Sequence, residues 1–233
     1  MTAIFKREFK AYFNTPIGYI VLTAYYLFLG IYFTLIYSYG SPDIQSLILA
    51  MVMVVTFTVP VITMRLISEE KRQKSDQLLL TAPVKLNSIV LGKFFAALCV
   101  YALGFAPTVI YEIIIMSYVS VNVFSSIYSL FGIILLGSAL ISVGMFISSL
   151  TESAVVSAIL TLVTNIFLIY MSSFSSMVKI SWLASVFKKA SFISAVESFG
   201  NNTFSVPDIV YFISITVAFL FLSVRSIEKR RWA

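Results

Sequence analysis

The sequence predicts an all-α membrane protein with six transmembrane helices, and three observations carry that prediction. Hydrophobic residues fill 60% of the 233 positions and charged residues only 11%, whereas soluble domains hold about 45–50% apolar residues. The mean hydropathy is +0.99. The few charges cluster, leaving long uncharged runs near the length of about 20 residues that a helix needs to cross a hydrocarbon core. Little chain then remains for a soluble domain, so residues 1–233 read as one transmembrane domain.

The elements follow in order. Residues 1–16 open with MTAIFKREFKAYF, which mixes Ile4, Phe5, Phe9, Tyr12 and Phe13 with Lys6, Arg7 and Lys10. Such a pattern suits an amphipathic helix lying in the membrane interface with the basic side chains at headgroup level. It is not a cleaved signal peptide, because the apolar run that follows exceeds the usual length of about 7–15 residues and ends in no small-residue cleavage site. Residues 17–66 hold two spans, Ile17 to about Tyr39 and about Ser46 to Met64, separated by the turn signals Gly40 and Pro42. Residues 67–90 form a polar island. Residues 91–174 hold three spans: Leu91 to about Ser117, Ile127 to Leu150, and Ala154 to about Phe174. Residues 175–206 combine Trp182, Phe187 and Phe192 with Lys179, Lys188 and Lys189, as expected of short helices dipping into a leaflet. The last span falls in 207–227, where Pro207 and Asp208 suit a first helical turn that has no use for one N–H and favours negative charge. A short tail, 228–233, ends the chain.

Six spans place 13 of the 16 Lys and Arg residues on the side shared by both termini and the polar island, against Lys179, Lys188 and Lys189 on the other. The positive-inside rule makes the basic side cytoplasmic. The expected location is therefore the cytoplasmic (inner) cell membrane, with multiple passes and both termini inside. This asymmetry accounts for the net charge of +6 without a nucleic-acid partner. Cys99 has no second cysteine to pair with and sits in an apolar run as a small hydrophobe.

The island, ISEEKRQKSDQLLLTAPVKLNSIV, places Ser68 as an N-cap, Glu69 and Glu70 in a first helical turn, and Pro83 as a stop near Thr81. The next helix then begins near Asn87 or Ser88. A short helix across the mouth of the bundle results, with Leu78, Leu79 and Leu80 as an apolar contact. A solvated linker has no reason to expose three consecutive leucines, so the segment reads as a docking element.

These residues resemble the cytoplasmic segment of ABC-2 type transporter permeases, especially the short six-span subgroup related to gliding-motility and copper–nitrous-oxide maturation permeases. The resemblance rests on Glu69–Lys71, on Leu78, Leu79, Leu80, Thr81 and Pro83, and on the IVLGK run from Ile89 to Lys93. Ser75 and Asp76 stand where the family usually has Gly-Thr, and Gln77 where it usually has glutamate. The opening IFKREFKAYFNTPIGYIV, the ISSLTESAVVSAI turn and the return SFISAVESFGNNTFSVPDIVYFISI are similar to the family in the same order. The resemblance implies that the island is a coupling helix, with Glu69, Glu70, Lys71, Arg72, Gln77, Leu78, Leu79 and Leu80 meeting a separate ABC ATP-binding subunit. It further implies two copies of that subunit, a second copy of this permease or a close relative facing the first, and reentrant outer helices. No cofactor is expected in this chain; ATP and Mg would bind the partner ATPase.

Catalysis by the chain itself is not expected. Gly92 and Lys93 lack the rest of a phosphate-binding loop, since Phe94 follows the lysine and Asn87 stands at the earlier glycine position. The sequence has 0 histidines, which removes zinc HExxH sites and Ser–His dyads. Asp43, Asp76 and Asp208 fall in or beside loops, not paired within spans as an aspartyl protease requires. An ATP-independent channel or secondary transporter is the alternative, and it calls for polar groups deep in the spans despite a cost of roughly 2.5–3.5 kcal/mol per central charge. Glu112 comes closest. It reads either as an interfacial carboxylate reaching headgroup water or as a contact for a cationic group on cargo. Small residues along the fourth span, Gly137 to Ser149, suit close helix packing. The resemblance implies that the first, second and fifth spans lie nearest the cargo path, which makes Asn165, alone among the apolar residues of the fifth span, a candidate lining residue; the other reading is a bond to a neighbouring helix. An apolar, aromatic interior suits amphipathic or hydrophobic cargo, and the resemblance to small Gram-positive permeases points to peptides of the phenol-soluble modulin or bacteriocin kind, transported outward through the membrane.

Overall fold

In a computed structural model of the chain, residues 1–38, 44–73, 86–117, 123–175, 191–200 and 205–231 are described, and every regular element among them is helical. The elements are α1 (Thr2–Asn14), α2 (Pro16–Ser38), α3 (Ile44–Thr63), α4 (Ser68–Arg72), α5 (Leu86–Gly104), α6 (Ala106–Met116), α7 (Val123–Leu150), α8 (Ala154–Ile169), α9 (Met171–Ser175), α10 (Phe192–Gly200) and α11 (Val206–Arg231). Among the described residues, five stretches are long and apolar enough to cross a membrane: Pro16–Leu35, Ala50–Arg72, Leu86–Met116, Ser126–Leu150 and Val206–Lys229. The fifth predicted span is shorter, an apolar helix over Ala154–Ile169, with α9 following it after a break at Tyr170.

The central post is α7, apolar around its whole circumference and packed against α3, α5, α8, α10 and α11. A helix without a polar face must be enclosed on all sides, by protein or by lipid, and here protein encloses most of it. Small residues allow that enclosure. A Cβ on Gly137 would lie 2.2 Å from the Tyr101 ring of α5, whose hydroxyl donates to the Ile133 carbonyl at 2.7 Å. The two helices therefore touch through a ring seated on a bare backbone.

The third predicted span is two helices. Pro107 supplies no N–H for the carbonyl of Leu103, so the ladder breaks at Phe105. The Tyr26 hydroxyl of α2 donates to that freed carbonyl at 3.2 Å. This follows the rule that broken helices persist in a membrane only where a neighbour satisfies the backbone. The last span runs further than expected, through Arg231.

At one end of the bundle lie Arg7, Arg65, Lys71, Lys93 and Arg225. At the other, Phe199 and Phe192 of α10 pack on Tyr128 of α7 and Phe212 of α11. Of the segment at 175–206, the helix α10 is among the described residues; Lys179, Trp182, Phe187, Lys188 and Lys189 lie outside them.

The seat of Tyr101 on Gly137 yields a test. Gly137→Ala forces the fully buried ring to move and is expected to destabilise the α5–α7 contact by about 1–3 kcal/mol, read as a lower melting temperature of the detergent-solubilised chain.

Candidate coupling site

The polar island begins as a helix but not in the predicted manner. Ser68 is not its N-cap: Ile67 holds the cap position and Ser68 is the first helical residue. The amides that start α4 are satisfied from outside the segment. The Ser148 hydroxyl oxygen of α7 accepts from Ile67 N at 3.2 Å and from Ser68 N at 3.1 Å, while the Ser68 hydroxyl donates to the Met64 carbonyl. The orphan donors of a helix start thus meet a serine about 80 residues away, which fixes α4 to the end of α7.

The sequence reading assigns Glu69, Glu70, Lys71 and Arg72 alike to contact with an ATPase, and the structure divides them. Arg72 is exposed, and Glu69 pairs with Arg65 one turn earlier at 3.1 Å. Lys71 is buried and donates to the carbonyl oxygen of Ser149, which also accepts from Ser226 of α11 at 3.3 Å. Glu70 turns inward. Gln77, Leu78, Leu79 and Leu80 lie outside the described residues.

Glu70 meets two cations from two other helices. Its Oε1 lies 2.8 Å from Lys93 Nζ of α5 and 3.2 Å from Arg7 Nη2 of α1. Glu8 of α1 meets the same two groups, at 3.4 Å and 2.6 Å. The hydrogen bond to Glu8 raises the pKa of the Arg7 guanidinium further. Lys93 is only 2% exposed, whereas Glu8 and Glu70 keep 14% and 21%. Helix α1 therefore engages Arg7, one of the cations expected among headgroups, in ion pairs within the protein. It packs along α5, with Ile4 so close to Gly92 that a Cβ there would lie 3.0 Å from the isoleucine. Its buried Tyr12 donates to the Ile62 carbonyl at 2.8 Å, one of the orphan acceptors at the end of α3. Beside these groups lies a cavity of about 410 Å³.

Two residues anticipated from the sequence lie elsewhere. Glu112, on α6, is 8% exposed and is not an open interfacial carboxylate; its Oε1 is buried without a hydrogen-bond partner. Asn165 is fully buried, and neither of its amide atoms has a partner among the described residues. It shares the inward face of α8 with Ser157, Thr161 and Ile169, while Val155, Ile159 and Val163 face outward. Asn165 thus points into its own subunit, not towards a face open to a second copy.

Against this geometry, the comparison with protein families is direct: a model described as ABC-2 type transporter matches residues 1–198. The chain belongs to the ABC-2 type transporter family. Membership makes this multi-pass protein a permease component of an ABC transporter, working with an ABC ATP-binding subunit, and not itself the catalyst. The match runs from α1 into α10 and includes the whole charge cluster, and α11 lies beyond it. A comparison with curated proteins returned no match.

Sequence reasoning about this permease missed Lys93, Glu8 and Ser148. Lys93 did carry a signal: a lysine opening an apolar run needs a partner, and an intramembrane charge is by default a functional candidate. Glu8 is the only acid within the basic start of α1.

Two substitutions test these placements. Lys93→Met leaves two carboxylates facing each other with only Arg7 between them; the expected loss is about 3 kcal/mol, the low end for breaking a buried pair because both carboxylates retain some solvent access. Lys93→Arg should lose much less, and thermal unfolding in detergent compares the two. Asn165→Leu removes an unsatisfied amide and is expected to leave stability unchanged or raise it by about 1 kcal/mol; a clear drop in melting temperature would show that the amide is bonded in the membrane.

Proposed function

We propose that this chain is the membrane-spanning subunit of an ATP-driven exporter, in which two copies, or one copy and a close relative, pair with two ABC ATP-binding subunits. The observation that carries the reading is the family match over residues 1–198. Both termini and the 67–90 segment face the cytoplasm in this reading, supported by the 13 to 3 distribution of basic residues between the two sides. The coupling segment docks on the ATP-binding subunit through Glu69, Arg72, Gln77 and the Leu78–Leu80 triplet. Closure of the ATPase dimer around ATP and Mg displaces that segment, and the bundle repacks about the cargo path. The segment is suited to transmit such a displacement, because α4 is anchored to α7 through Ser148 and Ser149 and to α5 through Lys93.

The cargo we infer is an amphipathic peptide or a hydrophobic compound. Supporting this are the aromatic content of 15% and the buried Glu112 carboxylate, whose free Oε1 could receive a cationic group. The same carboxylate is what an ATP-independent channel or secondary transporter would use, so the experiment has to separate the two.

The docking reading is tested with the permease and its ATP-binding subunit co-expressed and purified together. Leu79→Asp is expected to release the ATPase, or to abolish the response of its hydrolysis rate to added amphipathic peptide, while the permease remains inserted and folded. A variant complex that forms and responds as wild type would refute the assignment. Transport that needs no ATP would favour the channel reading.

A further inference from the structure

Arg7, Glu8, Glu70 and Lys93 form a closed ring in which charges alternate. Arg7 Nη2 lies 2.6 Å from Glu8 Oε1 and 3.2 Å from Glu70 Oε1, and Lys93 Nζ lies 3.4 Å and 2.8 Å from the same two oxygens. Each cation therefore touches both carboxylates, and each carboxylate both cations. Three of the four members sit on helices packed directly on one another, Arg7 and Glu8 on α1 and Lys93 on α5. Taken alone, those three are two cations against one anion. A buried ammonium in that setting demands a second carboxylate, and Glu70 supplies it from α4, whose own body packs on α7 and α8.

The space around the ring bears on its role. The cavity of about 410 Å³ is lined by Arg7, Glu8 and Lys93 of α1 and α5 and by Arg65, Glu69 and Gln73 of the α3–α4 corner. The ring spans part of the open room between the α1–α5 pair and the α3–α4 corner, which the Tyr12–Ile62 hydrogen bond also bridges. Charged groups spanning such a gap hold it at one width while the ring is closed.

We propose that α1 and α5 form a carboxylate receptor into which Glu70 plugs, and that this plug carries displacement of the coupling segment to α1 and α5. The proposal rests on the reading of this chain as a permease driven by an ATP-binding subunit. Glu70 and Lys93 are then positioning residues: they act on transport through the helices they join. A plain ion pair and a ring also differ in what repairs them. Exchanging Glu70→Lys with Lys93→Glu would rebuild a pair, but in the ring it sets a lysine beside Arg7 and a glutamate beside Glu8, so the exchange is expected to fail.

The decisive variant is the double change Glu70→Gln with Lys93→Met, which removes one charge of each sign and leaves Arg7 and Glu8 balanced. The full chain and its ATP-binding subunit are reconstituted in lipid nanodiscs, and three quantities are read: melting temperature, retention of the subunit, and the ATP hydrolysis rate with the permease relative to the subunit alone. The double variant is expected to melt close to wild type and above either single variant, to retain the subunit, and to lose about tenfold or more of the permease-dependent change in rate, the usual scale of coupling between two sites. Lys93→Arg should keep most of that change. An unaltered rate response in the double variant would overturn the proposal, and so would loss of the subunit, which would make Glu70 a direct docking contact. Failure of the wild-type chain to hold any ATP-binding subunit would overturn the functional reading and the proposal with it.

Discussion

A lysine ammonium buried to 2% exposure at the end of a membrane bundle sets the terms for everything around it. Moving such a charge out of water costs several kcal/mol unless opposite charge stands against it in good geometry. Two carboxylates do so here, and they come from α1 and α4, elements the chain could otherwise leave loose at the membrane surface. Helix α1 is drawn onto α5, and the first turn of the polar island is drawn onto both. The bundle end that carries the polar island is thereby a joined structure, not a set of helix ends.

Hydrogen bonds to helix termini complete that joining. Apolar burial alone is a weak source of order between helices in lipid, because lipid tails are as apolar as leucine side chains. The specific contacts here are polar groups left over where helices stop or break. Ser148 receives the opening amides of α4, Tyr12 serves a carbonyl at the end of α3, and Tyr26 serves the carbonyl that Pro107 leaves without a donor. Each contact lies where a backbone group at a helix end or break would otherwise be left unsatisfied. These points join the island to α7, α1 to α3 and α2 to α5.

The buried polar groups within the spans contrast with this. Glu112, Ser157, Thr161 and Asn165 each have a buried polar atom without a partner among the described residues. Three of them share the inward face of α8, with apolar side chains facing out. This is the pattern of a helix whose polar stripe is excluded from lipid, and it assigns the interior of the subunit, not its α8 exterior, to whatever those groups bind or order.

Much of this permease was determined by its sequence alone. Hydropathy and charge compel a helical membrane protein, since a chain this apolar can satisfy its backbone in lipid only within helices or a closed barrel, and runs of about 20 residues fit the former. The family, the start of the last span at Val206–Pro207–Asp208 and the helical opening of the island at Glu69 and Glu70 were legible in local patterns. The charge ring, the capping of α4 by Ser148, the inward turn of Glu70 and the burial of Asn165 were not. These depend on which surfaces meet, and residues such as Arg7 and Glu70 lie 63 positions apart. Local periodicity records what must leave water; only packing decides which polar groups then find one another.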